Sequence, residues 1–115
     1  MSDAQTILIV EDDETDRLIV RLFLEQAGYR VLEANSAESG LELCNRTRPD
    51  LLLIDGLLPR MNGFQMCRAL RAIPEYRDSP ILVLSGLEEP EWPARAIEAG
   101  ATGFILKSNN WDELV

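Results

Sequence analysis

Aliphatic runs of about four residues alternate along this chain with segments whose apolar positions recur every three or four residues, the pattern of strands and helices taking turns around a parallel sheet. Five such units can be counted. Ile7-Leu8-Ile9-Val10 is continuous rather than alternating, as a strand covered on both faces requires. The spacing predicts a first helix after an acidic cluster, with Ile19, Leu22 and Phe23 on its apolar face and Gly28 at its end. A second strand over Arg30 to Ala34 leads to a helix capped near Ser36 that buries Ala37, Leu41 and Cys44. Pro49 ends that connection, and Leu51-Leu52-Leu53-Ile54 forms a third strand running straight into Asp55. Residues 56 to 63 read as a loop, followed by a helix from Phe64 to about Ala72 with Met66, Leu70 and Ile73 along one stripe. Ile81 to Leu84 is the fourth strand. Pro90 and Pro93 fit only near the beginning of a fourth helix, so that helix starts late and ends at Gly100. Phe104-Ile105-Leu106 is the fifth strand, and an Asn of Asn109-Asn110 can cap a last helix that has barely begun at Val115. Such an ending is expected of a domain cut inside its last helix, with residues 1–115 the N-terminal part of a longer protein.

A length of 115 residues, with 46% hydrophobic and 27% charged residues, suits one globular domain with its own core and is too apolar for a disordered chain. Eleven basic against twenty acidic residues leave a formal charge of -9, which argues against direct nucleic-acid binding. No apolar run approaches the length of a membrane span, and Met1 to Gln5 lack the features of a secretory signal, so a cytoplasmic location is expected. Cys44 and Cys67 fall on apolar helix stripes, where a free thiol acts as a small hydrophobe. Trp92 and Trp111 are read as isolated surface residues rather than interaction anchors.

In an open parallel sheet, ligands sit beyond the carboxyl ends of the strands. Here strand one ends in Glu11-Asp12-Asp13, strand three in Asp55, strand four in Ser85 and strand five in Lys107. Carboxylates brought together repel unless a cation sits among them, and Mg²⁺ (or Mn²⁺) prefers such oxygen ligands. Asp12, Asp55 and the main-chain carbonyl of Leu57 can supply them, with Glu11 acting through water. Ser85 can donate to an oxygen of a transferring group, and Lys107 can neutralise its charge. Together these groups suit phosphoryl transfer to a carboxylate. Asp13 and Glu14 are better explained as a helix start, where negative charge meets the positive end of the dipole.

Ile7 to Asp12, Leu51 to Asp55, Pro59 to Gly63, Ser85-Gly86 and Gly100 to Lys107, taken together, resemble the receiver domains of response regulators in two-component signalling. The resemblance spans nearly the whole chain. It implies a flavodoxin-like (βα)5 three-layer α/β sandwich with a parallel five-stranded sheet of order 2-1-3-4-5, the last helix being truncated here. It implies that Asp55 accepts a phosphoryl group from a kinase phosphohistidine, that Glu11 and Asp12 hold Mg²⁺, and that Ser85 and Lys107 contact the phosphoryl group. The partners it implies are a sensor histidine kinase or phosphotransfer protein and an output domain or partner protein, with a homodimer left open. In this role the chain is a regulatory phosphoacceptor rather than an enzyme, although such domains can promote their own phosphorylation and dephosphorylation. An aromatic residue on strand five of the family works as a switch with the strand-four hydroxyl. Phe104 occupies that place without a phenol, and the alternative for it is a core residue. Ser108 stands where the family commonly has proline, which bears on how Lys107 is presented.

Three other functions compete. An aspartate-nucleophile phosphohydrolase would need a second acid just after the nucleophile, where this chain has Gly56-Leu57-Leu58-Pro59. A flavin-binding version of the fold is disfavoured because acids after strand one would repel the cofactor phosphate. A receiver-like scaffold that is never phosphorylated would have no need of the five expected side chains, all of which are present.

Overall fold

The computed structural model describes residues 4–85 and 91–106. Its strands are β1 (Thr6–Val10), β2 (Arg30–Ala34), β3 (Leu51–Asp55), β4 (Ile81–Ser85) and β5 (Gly103–Leu106). Its helices are α1 (Glu14–Gln26), α2 (Ala37–Arg46), α3 (Gly63–Arg71) and α4 (Trp92–Glu98), with a 3₁₀ turn at Pro74–Tyr76 before β4. All strand pairings are parallel and the order is β2-β1-β3-β4-β5, as expected. The sheet order reverses between β1 and β3, so their carboxyl ends open onto a crevice between divergent connections. No helix among the described residues is long and apolar enough to cross a membrane.

The continuous aliphatic strands divide their side chains between two cores. Ile7, Ile9, Leu53 and Leu84 face Val20 and Leu24 of α1. Leu8, Val10, Leu52, Ile54, Ile81 and Val83 pack with residues of α2, α3 and α4, among them Cys44, Met66, Cys67, Leu70 and Ala96. Both cysteines are free and buried, and burial pushes their thiols above the ordinary range, which fits the role of small hydrophobes.

Helix boundaries follow local chemistry. Asp13 caps α1 by accepting the Asp16 amide, and Ser36 caps α2 by accepting that of Ser39. Asn62 and Gln65 form a reciprocal capping box that starts α3 one residue earlier than the apolar stripe predicts. Gly28 and Gly100 follow their helices at φ 99° and 98°, a conformation glycine adopts without strain. Pro93 falls in the first turn of α4, as its missing N–H demands.

The orientation of α1 differs from expectation. Val20 and Leu24 are its buried residues, Phe23 is half-buried, and Ile19 and Leu22 are exposed. Its six apolar residues span a wide arc, of which only part is buried. Arg17 and Arg21, one turn apart on its polar side, both reach Glu33 on β2 and hold that side against the strand. Leu41 and Ile73, expected in the core stripes, pack at its margin.

Candidate functional site

The strand ends bring together what the sequence places there. Carboxylate oxygens of Glu11, Asp12 and Asp55 lie within 4.8 Å of one another, with Glu11 and Asp55 buried and Asp12 exposed. The cluster offers three carboxylates, oxygen ligands that fit a hard divalent cation such as Mg²⁺. Three like charges so close, two of them out of water, are unfavourable without a counter-charge. Glu11 is held at both ends of its residue: its amide donates to the Ala34 carbonyl at 3.0 Å, and its carboxylate accepts the Asp13 amide at 3.0 Å. Asp55 closes β3, and one of its carboxylate oxygens accepts the Leu57 amide at 3.0 Å, which fixes its rotamer.

Tight packing sets the backbone around Asp55. The Gly56 amide donates to the Leu84 carbonyl at 2.8 Å, so β3 stays joined to β4 one residue past Asp55. The Gly63 amide donates back to the Gly56 carbonyl at 3.1 Å, closing the loop from 56 to 63. A Cβ on Gly63 would collide with the Asp55 carbonyl, and one on Gly56 would press on the Phe64 ring. The Arg95 guanidinium of α4 lies 4.3 Å from the centre of that same ring, so the floor of this loop also touches α4. From α2, Glu38 accepts the Met61 amide at 3.3 Å and pairs with Arg60, itself at φ 63°. Hydrogen bonding from its own backbone amide, then from that of Met61, holds the Glu38 carboxyl below the usual range.

Ser85 is buried at the end of β4, next to Leu84, whose register partner is Asp55. It therefore lies one strand from the acids at the same edge. Leu57 stands exposed two residues beyond Asp55, in the loop that the sequence assigns a carbonyl ligand. Phe104 pairs in register with Val83 and is 43% exposed, so it is not the core residue an aromatic on an inner strand would be. The physical reason is position: β5 is an edge strand of the described sheet. Lys107 and Ser108 lie outside the described residues.

Sequence reasoning missed Arg17 and Glu33. Arg17 donates to the main-chain carbonyl of Glu11 at 2.9 Å and to Glu33 at 3.1 Å. The i, i+4 spacing of Arg17 and Arg21 was the available signal, but the acid they share comes from another strand.

The response regulator receiver domain profile matches residues 7–115. The chain belongs to the response regulator receiver family. PhoB, the phosphate regulon transcriptional regulatory protein of Escherichia coli, is 37% identical over 112 residues, covering 97% of this chain and 49% of PhoB. Among solved structures, the chemotaxis response regulator CheY4 of Vibrio cholerae superposes with a TM-score of 0.91 at 31% identity, covering 97% of this chain and 93% of that one. The signal receiver domain of a signal transduction histidine kinase from Syntrophus aciditrophicus gives 0.89 at 35% identity, covering 96% and 84%. This receiver chain spans about half the length of the curated relatives it matches. Its fold is accordingly the flavodoxin-like arrangement of receivers, and its kind of role is regulatory signalling.

Proposed function

We propose that this chain is a phosphoacceptor, with Asp55 taking a phosphoryl group from the phosphohistidine of a sensor histidine kinase or phosphotransfer protein. The observation that carries this is the convergence of Glu11, Asp12 and Asp55 within 4.8 Å, two of them buried, at the carboxyl ends of neighbouring strands. In the transfer, an Asp55 carboxylate oxygen attacks phosphorus and the P–N bond to the donor imidazole breaks, leaving an acyl phosphate and a neutral histidine. The chain contains no histidine, so the donor is another domain or protein. Asp12, Asp55 and the Leu57 carbonyl, with Glu11 through water, would hold Mg²⁺ or Mn²⁺, whose charge offsets that of the transferring oxygens. The Leu57 amide holds the Asp55 rotamer for attack. Ser85 donates its hydroxyl hydrogen to a phosphoryl oxygen, and Lys107 supplies a positive charge to the same group.

The phosphorylated state then acts on an output domain of a longer chain, or on a partner protein. Movement of Ser85 toward the phosphoryl group, coupled to the Phe104 ring on the adjacent strand, carries the change to the α4 and β5 face. This reading places the chain in the cytoplasm and treats residues 1–115 as the receiver portion of a larger regulator, with dimerisation one way to transmit the signal. The test is intact-mass analysis after incubation with a small-molecule phosphodonor, with and without Mg²⁺, on the parent and Asp55→Asn. A single Mg²⁺-dependent phosphoryl adduct absent from the variant is expected; no adduct on a folded parent would refute the proposal.

A further inference from the structure

Arg17 presents a puzzle of charge. It stands beside an acidic cluster suited to a cation, where a second positive charge works against binding on Coulombic grounds alone. Its contacts explain its presence. One terminal nitrogen donates to the carbonyl of Glu11 at 2.9 Å, and that carbonyl belongs to the peptide group joining Glu11 to Asp12. Its Nε donates to Glu33 at 3.1 Å, and Glu33 in turn accepts from Arg21 at 2.9 Å, while Arg21 faces Glu25 at 3.8 Å. Charges alternate along this row, and exposure of the side chains rises from 18% at Arg17 to 49% at Glu25. Arg17 is thus the enclosed end of a row anchored on β2. The Glu11 amide is also tied to β2, through the Ala34 carbonyl at 3.0 Å. Both peptide groups flanking the Glu11 side chain therefore take their position from β2, one directly and one through Arg17.

We propose that Arg17 is a positioning residue of the cation site: braced by Glu33, it fixes the Glu11–Asp12 peptide so that both carboxylates face Asp55. This rests on the Mg²⁺ reading of that site. A group that orients ligands without touching the ion commonly changes affinity by tenfold or more when removed. Positioning and simple charge make opposite forecasts, because loss of a nearby cation should by itself tighten Mg²⁺ binding.

The experiment is a ¹H–¹⁵N NMR titration of the 115-residue chain with MgCl₂ for the parent, Arg17→Met, Glu33→Gln and Arg71→Ala, with metal-free urea unfolding of each. Arg17→Met is expected to weaken Mg²⁺ roughly tenfold and to shift the metal-free Asp12 amide resonance. Glu33→Gln is expected to weaken Mg²⁺ by a smaller factor with the same direction of Asp12 shift. Arg71→Ala, which loses stability far from the acids, is expected to keep the parental affinity, so that a general loss of stability is separated from positioning. Unchanged or tighter Mg²⁺ binding by folded Arg17→Met overturns the proposal. Should Arg17→Met not fold, an unchanged Asp12 resonance and affinity in Glu33→Gln overturns it instead. A parent that shows no saturable Mg²⁺ binding removes the cation reading itself and the proposal with it, an outcome distinguishable because it appears in the parent.

Discussion

Replacing Arg71 with alanine is expected to cost the fold roughly 2–4 kcal/mol, shared between the segment before β4 and the turn into β5. Arg71 ends α3, and its guanidinium ties three segments together. Nε donates to the Gly100 carbonyl at 2.7 Å. One terminal nitrogen reaches the carbonyls of Tyr76, Arg77 and Ser79 at 2.8, 3.0 and 2.8 Å, and the other reaches the Thr102 hydroxyl at 3.2 Å. Four N–H groups are engaged, since the first terminal nitrogen has two hydrogens for three carbonyls. Each engaged N–H contributes about 1 to 1.5 kcal/mol net, offset by up to ~2 kcal/mol of side-chain entropy regained on truncation, which leaves roughly 2–4 kcal/mol. In a domain of this size 1 kcal/mol moves Tm by about 4 °C, so a fall of roughly 8–16 °C is expected. Urea unfolding measures the loss, and hydrogen exchange locates it. The amides of Gly100 and Ala101, which close the end of α4, and of Thr102, which joins the Ile81 carbonyl of β4, should lose protection before those of β1 and β3. Arg71→Lys should recover less than half, because a single ammonium cannot reach acceptors spread around the edges of the guanidinium fork. A loss below about 0.5 kcal/mol, with an unchanged urea slope, would mean that these hydrogen bonds do not hold the two segments to α3.

Tyr76→Phe removes a buried hydroxyl whose single hydrogen is shared between the carbonyls of Cys44 and Thr47, at 2.7 and 3.0 Å, and should cost about 1–2 kcal/mol in urea unfolding. Burial pushes the Tyr76 phenol up to about 12 from an ordinary value of 10, so the unfolded chain deprotonates first. The stability from this group is complete below pH 10 and lost as pH rises toward 12, and that part of the alkaline loss should be missing in Tyr76→Phe. Gly63→Ala should destabilise by at least about 2 kcal/mol, despite alanine's higher helix propensity, because its Cβ would collide with the Asp55 carbonyl; equal or greater stability of the variant contradicts so close an approach of the two backbones. Asp12→Asn should stabilise the metal-free chain by about 1 kcal/mol through relief of repulsion among acids within 4.8 Å, and should weaken the rise in Tm that Mg²⁺ gives the parent.

The three inner strands were legible because each is a continuous aliphatic run, as burial on both faces requires, whereas the edge strands β2 and β5 carry Glu33 and the exposed Phe104. Their carboxyl ends were legible for the same reason: Glu11, Asp55 and Ser85 are the first polar residues after long apolar stretches, and all three are buried at one edge. The rotation of α1 was not legible from its apolar residues alone, since Leu18, Ile19, Val20, Leu22, Phe23 and Leu24 span a wide arc of which only Val20 and Leu24 are buried. A contact between residues sixteen apart, Arg17 with Glu33, decides it, and pairings across elements leave no periodic trace in a sequence. Phe104 illustrates the same limit, because whether an aromatic is core or surface depends on its strand's place in the sheet rather than on its neighbours in the chain. Asn62 and Gln65 carried a visible capping signal three residues apart, which the glycine between them and the apolar stripe obscured.

On the proposed function Asp55, and not a neighbouring acid, receives the phosphoryl group. The most direct measurement is borohydride reduction of the chain after treatment with a small-molecule phosphodonor and Mg²⁺, followed by peptide mapping, since an aspartyl phosphate is reduced to homoserine. Homoserine at position 55 alone, and none when Mg²⁺ is omitted, is the predicted result. Homoserine at position 12 or 13, or a folded chain that yields none at all, would contradict it.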